Sequence, residues 1–126
     1  MKIFKLWLPV IIWAGIIFWL SSIPNLKTNF EYDFILRKIA HTVEYFILTF
    51  FLYRAFKGSF NMGIFHLFIY PATLSFFYAV SDELHQSFVP ARSASIRDVL
   101  IDTIGILGFY IVITIFAVNQ KNKTPV

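Results

Sequence analysis

Long apolar stretches broken by short polar segments dominate the chain. Residues 6–22, 35–56, 62–81 and 98–118 each form a run of about the length a helix needs to cross a hydrocarbon core of about 30 Å. The second run differs from the others in carrying polar residues in its first turns. Between the runs lie residues 23–34, a short turn at 54–61 and residues 82–97, with no internal repeat, low-complexity tract or linker. The pattern predicts an all-α integral membrane protein, a single domain folded as a four-transmembrane-helix bundle. Pro71, in the middle of the third run, is expected to kink its helix.

Composition supports lipid as the solvent. Hydrophobic residues are 58% of the 126, aromatics 20% and charged residues 14%, with a mean hydropathy of +0.69. Soluble domains carry about 25% charged residues. Sixteen phenylalanines and three tryptophans exceed what a core of this size can hide. Lys2 and Lys5 before the first run resemble the start of a signal peptide. The run's length and Pro24 just beyond it favour an uncleaved anchor instead. The absence of cysteine excludes disulfides, thiol nucleophiles and thiolate metal sites.

The net charge of +4 is spread along the chain, without the basic stripe that nucleic acid requires, and points to membrane lipids as partners. With both termini placed in the cytoplasm, Lys2, Lys5, Arg54, Lys57, Lys121 and Lys123 lie inside. Lys27, Arg37, Lys38, Arg92 and Arg97 lie outside. All seven acids (Glu31, Asp33, Glu44, Asp82, Glu83, Asp98 and Asp102) fall on the outer side, together with His41 and His85. Only His66 stands in the inner half of a run.

Three segments feed this polar end. Arg37, His41 and Glu44 follow a spacing of four and three, which places them on one helix face with Glu44 deepest. Continuation of the third helix through Ser81-Asp82-Glu83-Leu84-His85-Gln86-Ser87 would pair Asp82 with His85 or Gln86. In the third segment Ser95 is an expected N-cap with Asp98 at the third helical position, and Asp102 lies one turn deeper. Gly105 on the same face predicts close approach of another helix there, and Gly108 serves packing.

Such a set admits three chemistries. Carboxylates and imidazoles suit a divalent metal such as magnesium, manganese or zinc, with Asp98 and Asp102 as ligands. Alternatively, Arg92 and its cationic neighbours hold an anionic headgroup while an acid or His85 moves a proton. An ion-pair network that only fixes bundle geometry is the third. No HExxH motif or nucleotide-binding loop is present.

The motifs also resemble those of a known family. Ser21-Ser22-Ile23-Pro24 and Arg37-Lys38-Ile39-Ala40-His41-Thr42-Val43-Glu44-Tyr45 are similar to the opening motifs of the VanZ-like family. Tyr78-Ala79-Val80-Ser81-Asp82-Glu83-Leu84-His85-Gln86-Ser87-Phe88-Val89-Pro90-Ala91-Arg92 resembles its most specific block, and Ser95-x-x-Asp98-x-x-x-Asp102-x-x-Gly105 continues it. The likeness spans about residues 5–117, with one departure at Ala91, where the family more often has glycine before the arginine.

The resemblance implies a bacterial plasma-membrane protein of four helices, in a family whose namesake is associated with low-level resistance to teicoplanin, a lipidated glycopeptide that binds cell-wall precursors. It supplies no reaction. The motif positions it carries over are His41, Glu44, Asp82, Glu83, His85, Gln86, Arg92, Asp98 and Asp102, without catalytic roles.

The expectation drawn from residues and resemblance together is an outward-facing site that recognises or modifies an anionic lipid or wall-precursor headgroup. In it Arg92, His41, Glu44 and Gln86 bind, His85, Glu83 and Asp82 carry acid–base chemistry, and Asp98 and Asp102 orient or ligate. A non-catalytic scaffold or assembly partner and a small transporter are the alternatives. Transport is disfavoured because no chain of ionisable groups crosses the inner half.

Overall fold

The computed structural model describes residues 1–23, 33–90 and 94–123. Four helices follow one another: α1 (Lys2–Ser22), α2 (Asp33–Ser59), α3 (Ile64–Gln86) and α4 (Ile96–Lys123). Each covers all or nearly all of one apolar run and extends past it at one end or both, α3 beginning two residues inside its run. The overshoot at the end of α3 matters most, because it keeps Asp82, Glu83 and Gln86 helical.

Only four residues separate α2 from α3, which forces the two helices to run antiparallel as neighbours. α2 packs against all three other helices and α3 does the same, whereas α1 and α4 do not meet among the described residues. The bundle is therefore a central α2–α3 pair flanked by α1 on one side and α4 on the other.

Its polarity is reversed relative to a soluble protein. Large apolar side chains such as Ile11, Trp19, Phe77, Leu100, Ile111 and Phe116 cover the outside. Ser21, Thr49, Ser75, Asp82, Glu83, Gln86 and Asp102 are buried alongside Ile17, Tyr45, Leu48 and Ala79. Apolar surface of this extent marks contact with membrane or protein rather than water. Three helices, α1, α3 and α4, are long and apolar enough to cross a membrane. α2 is not among them, because Asp33, Arg37, Lys38, Glu44, Arg54 and Lys57 lower its apolar character.

Between helices surrounded by lipid there is little hydrophobic drive, so close packing and polar cross-links hold a bundle together. Both are present. Trp13 donates to the Glu44 carbonyl at 2.9 Å, Tyr78 to the Ala14 carbonyl at 2.5 Å, and Thr49 to Ser75 at 2.9 Å. At the opposite end from the acids, Trp7 donates to Ser59 at 2.8 Å.

α3 continues unbroken through Pro71, whose ring is buried. Proline leaves the carbonyl four residues earlier without its helical donor. Tyr110 of α4 donates to the adjacent carbonyl of Phe68 at 2.7 Å, so α4 braces α3 beside its weakened turn.

The closest helix contact lies where Gly105 predicts it. A Cβ on Gly105 would stand 2.1 Å from the Thr42 carbonyl oxygen and 3.2 Å from the Phe46 nitrogen. No side chain fits there, and α2 and α4 touch backbone to backbone. At Gly108 an added Cβ would meet only Phe46 at 3.8 Å, an ordinary contact.

Candidate functional site

The acidic end of the bundle is assembled by α1, α2, α3 and the start of α4, and it divides into two differently furnished halves. One half centres on Asp82. Its carboxylate, 4% exposed, accepts hydrogen bonds from the Ser21 hydroxyl, the Tyr45 hydroxyl at 3.2 Å and the Gln86 amide at 3.1 Å. Gln86 also donates to the Ser21 oxygen at 3.2 Å. A carboxylate held by three donors from three helices is a satisfied structural knot. The pairing of Asp82 with Gln86 follows the predicted i, i+4 spacing.

His85, the other predicted partner of Asp82, points elsewhere. Its ring stacks on Phe18 of α1, with centroids 4.4 Å apart and planes 21° from parallel.

The second half lies between α2 and α4. His41 Nδ1 is 3.4 Å from Asp102 Oδ1 and 3.9 Å from Glu44 Oε2, which makes the predicted α2 stripe and the predicted α4 face meet. Asp102 has no exposed surface. Lys38, one turn before His41, forms an ion pair with Asp98. The Thr42 hydroxyl turns back to the Lys38 carbonyl at 3.0 Å, next to the Gly105 contact.

Glu83 links the halves. Its Oε2 accepts the Ser95 backbone N–H at 3.1 Å. Ser95 is the N-cap expected from the sequence, its hydroxyl accepting the Arg97 N–H at 3.1 Å. In a capping box the acid at the third helical position would take the N-cap N–H. Here Glu83 of α3 takes it, and Asp98 is left for Lys38. Glu83 thus places a negative charge at the positive end of the α4 dipole.

The sequence-predicted residues therefore separate. His41, Glu44 and Asp102 come together, as do Asp82 and Gln86. Asp98 and Asp102, considered as joint metal ligands, face different partners. Among the described residues no three His, Asp or Glu side chains converge in a way that could hold a metal ion. Arg92, expected to hold an anion, lies outside the described residues, as do Ala91 and Glu31. His66 stands exposed on α3 beside Tyr70, at 5.5 Å between rings, remote from the cluster. Ser21, Tyr45 and the Ser95 N–H gained no role from spacing. Each acts only through a residue on another helix.

One property unites the cluster. Beyond the His41–Asp102 contact, Asp102 Oδ2, Glu83 Oε1 and His85 Nδ1 are buried without a hydrogen bond among the described residues. Buried polar atoms in folded proteins nearly always have partners. Here the exceptions gather at one end, supplied by α3 and α4.

The VanZ/LLP1 family model matches residues 6–117, a stretch that contains every residue of the cluster. No curated protein and no solved structure matches the chain. With most of its length matched and its helices suited to lipid, the chain is a helical membrane protein belonging to the VanZ/LLP1 family.

Proposed function

We propose that the chain crosses a bacterial plasma membrane four times, with both termini cytoplasmic, and that its outward-facing acidic end receives the headgroup of an anionic lipid or cell-wall precursor. α2 is included among the spans because its ionisable residue His41 is turned toward Asp102 of α4, with Glu44 beside it, the position that intramembrane charge requires. The observation that carries the reading is the set of buried atoms left without a partner beside the His41–Asp102 contact: Asp102 Oδ2, Glu83 Oε1 and His85 Nδ1. Each such atom costs about 1–3 kcal/mol when left unsatisfied. Hydroxyl or amide donors on a headgroup would satisfy the carboxylate oxygens, while the exposed Arg97 attracts its phosphate.

Within this site the histidine best equipped to exchange a proton is His41, whose Nδ1 faces the Asp102 carboxylate. A carboxylate in that place orients the ring and stabilises its charged form. Glu83 and His85 line the same end, and Asp82 holds the scaffold. Sequestering or altering surface headgroups would reduce access of lipidated glycopeptides such as teicoplanin to the membrane.

The test is native mass spectrometry of lipids retained by detergent-purified protein, paired with teicoplanin tolerance of cells expressing it. Glu83→Gln/Asp102→Asn is expected to keep the fold, lose a retained headgroup lipid and lower tolerance. Unchanged lipid content and tolerance in a folded double variant would overturn the proposal.

The complete satisfaction of Asp82 favours a second reading, in which the network only fixes bundle geometry. On that reading neutral variants would lose thermal stability, and function would fall only in proportion.

A further inference from the structure

At the end of the bundle opposite the acids, an open groove of about 550 Å³ runs between α2 and α4 and is closed at one side by Leu6 of α1. That volume falls in the range of ligand-binding clefts, about 300–1,000 Å³. Its α2 wall is formed by Phe46, Phe50, Tyr53, Arg54 and Lys57. From Phe46 to Lys57 is eleven residues, or about 16 Å of helix at 1.5 Å per residue. One leaflet of a hydrocarbon core about 30 Å thick measures about 15 Å. The groove therefore spans one leaflet, from the middle of the bundle to its cationic end.

Its lining is apolar except at that end, where Arg54 and Lys57 stand one turn apart. Lys57 Nζ lies 5.8 Å from the centre of the Tyr53 ring, which holds the charge over the groove. Glu44, Asp82, Glu83, Asp98 and Asp102 belong to the other end, and among the described residues no carboxylate lines this groove.

We infer that the groove is a binding site for one anionic phospholipid of the leaflet at the cationic end, with an acyl chain along Phe50 and Phe109 and the phosphate between Arg54 and Lys57. Length, apolar lining and charge position all match such a molecule. A zwitterionic lipid offers its phosphate together with an ammonium that these cations repel, so headgroup charge sets the selectivity. The site is separate from the headgroup cluster and does not depend on its role.

The test reconstitutes the full chain in vesicles of equal phosphatidylglycerol and phosphatidylcholine, extracts it into mild detergent, and counts retained lipids by native mass spectrometry. Wild type is expected to retain phosphatidylglycerol about tenfold over phosphatidylcholine. Arg54→Gln/Lys57→Gln should bring the ratio near one, while Lys2→Gln/Lys121→Gln, which removes the same charge elsewhere at that end, should leave it unchanged. Val112→Trp, filling the groove from an exposed position, should reduce retention of both lipids, and Phe116→Trp provides a second filling variant should the first misfold. Equal retention by wild type, an equal loss in the two charge variants, or undiminished retention in a folded filling variant would each overturn the site.

Discussion

His41 on α2 and Asp102 on α4 face each other at 3.4 Å, and the aspartate has no exposed surface. They are 61 residues apart in the chain, and the contact exists because Gly105, one turn below Asp102, lets the two helices touch. Removing one member of a buried pair leaves the other unsatisfied, which costs about 3–5 kcal/mol. Asp102→Ala is therefore expected to lower the melting temperature in detergent sharply. His41→Gln/Asp102→Asn, neutral on both sides, should recover much of the loss. A double-mutant cycle on thermal stability with no coupling between the two sites would contradict the pairing.

Gly105 and Gly108 make a matched pair of tests. Gly105→Ala drives a methyl group into the Thr42 carbonyl, and overpacking of this kind costs about 1–3 kcal/mol. Gly108→Ala meets ordinary contact distance and gains helix propensity, up to about 1 kcal/mol. Thermal melts of the two variants should move in opposite directions. Equal tolerance would mean that α2 and α4 do not approach as described.

Tyr45→Phe removes one of three donors to the buried Asp82 carboxylate without changing the shape of the core. Hydrogen bonds to charged groups contribute about 1.5–3 kcal/mol, so a loss in that range is expected on denaturation. In an Asp82→Asn background the same phenol deletion should cost less, because the uncharged acceptor demands less of its donors. An undiminished cost in that background would show that the tyrosine stabilises by packing alone.

The Glu83–Ser95 contact predicts a local effect. Glu83→Ala removes the acceptor for the Ser95 N–H and the negative charge at the α4 N-terminus, an interaction of up to about 2 kcal/mol where the charge is buried. Ser95→Ala removes the cap, at about 1 kcal/mol. Hydrogen exchange should rise in the first turn of α4 in both variants and remain unchanged at α1. Exchange that rises evenly across the bundle would argue against a capping role.

The helices were legible because lipid imposes a simple rule: a crossing segment must be helical and apolar over a set length. Runs at 6–22, 62–81 and 98–118 obey it and coincide, to within two residues at the start of the third helix, with stretches of α1, α3 and α4. The first half of α2 reads as ambiguous for the same reason, since it carries the charges of the cluster. Local rules also reached the Ser95 cap, the Asp82–Gln86 pair and the close approach at Gly105, because each depends on residues within about one or two turns of one helix.

What the tertiary structure alone decided is which acid meets which partner. Spacing leaves Asp98 free to cap its own helix, to pair or to bind metal. Only the placement of Glu83 on the Ser95 N–H and of Lys38 beside Asp98 settles its partner. Spacing likewise allows His85 to join Asp82, yet helix rotation turns it onto Phe18 and gives Asp82 to Ser21 and Tyr45. Helical periodicity fixes directions relative to one axis. The rotation of four axes about one another depends on contacts such as Gly105 on Thr42, and these join residues that no local pattern connects.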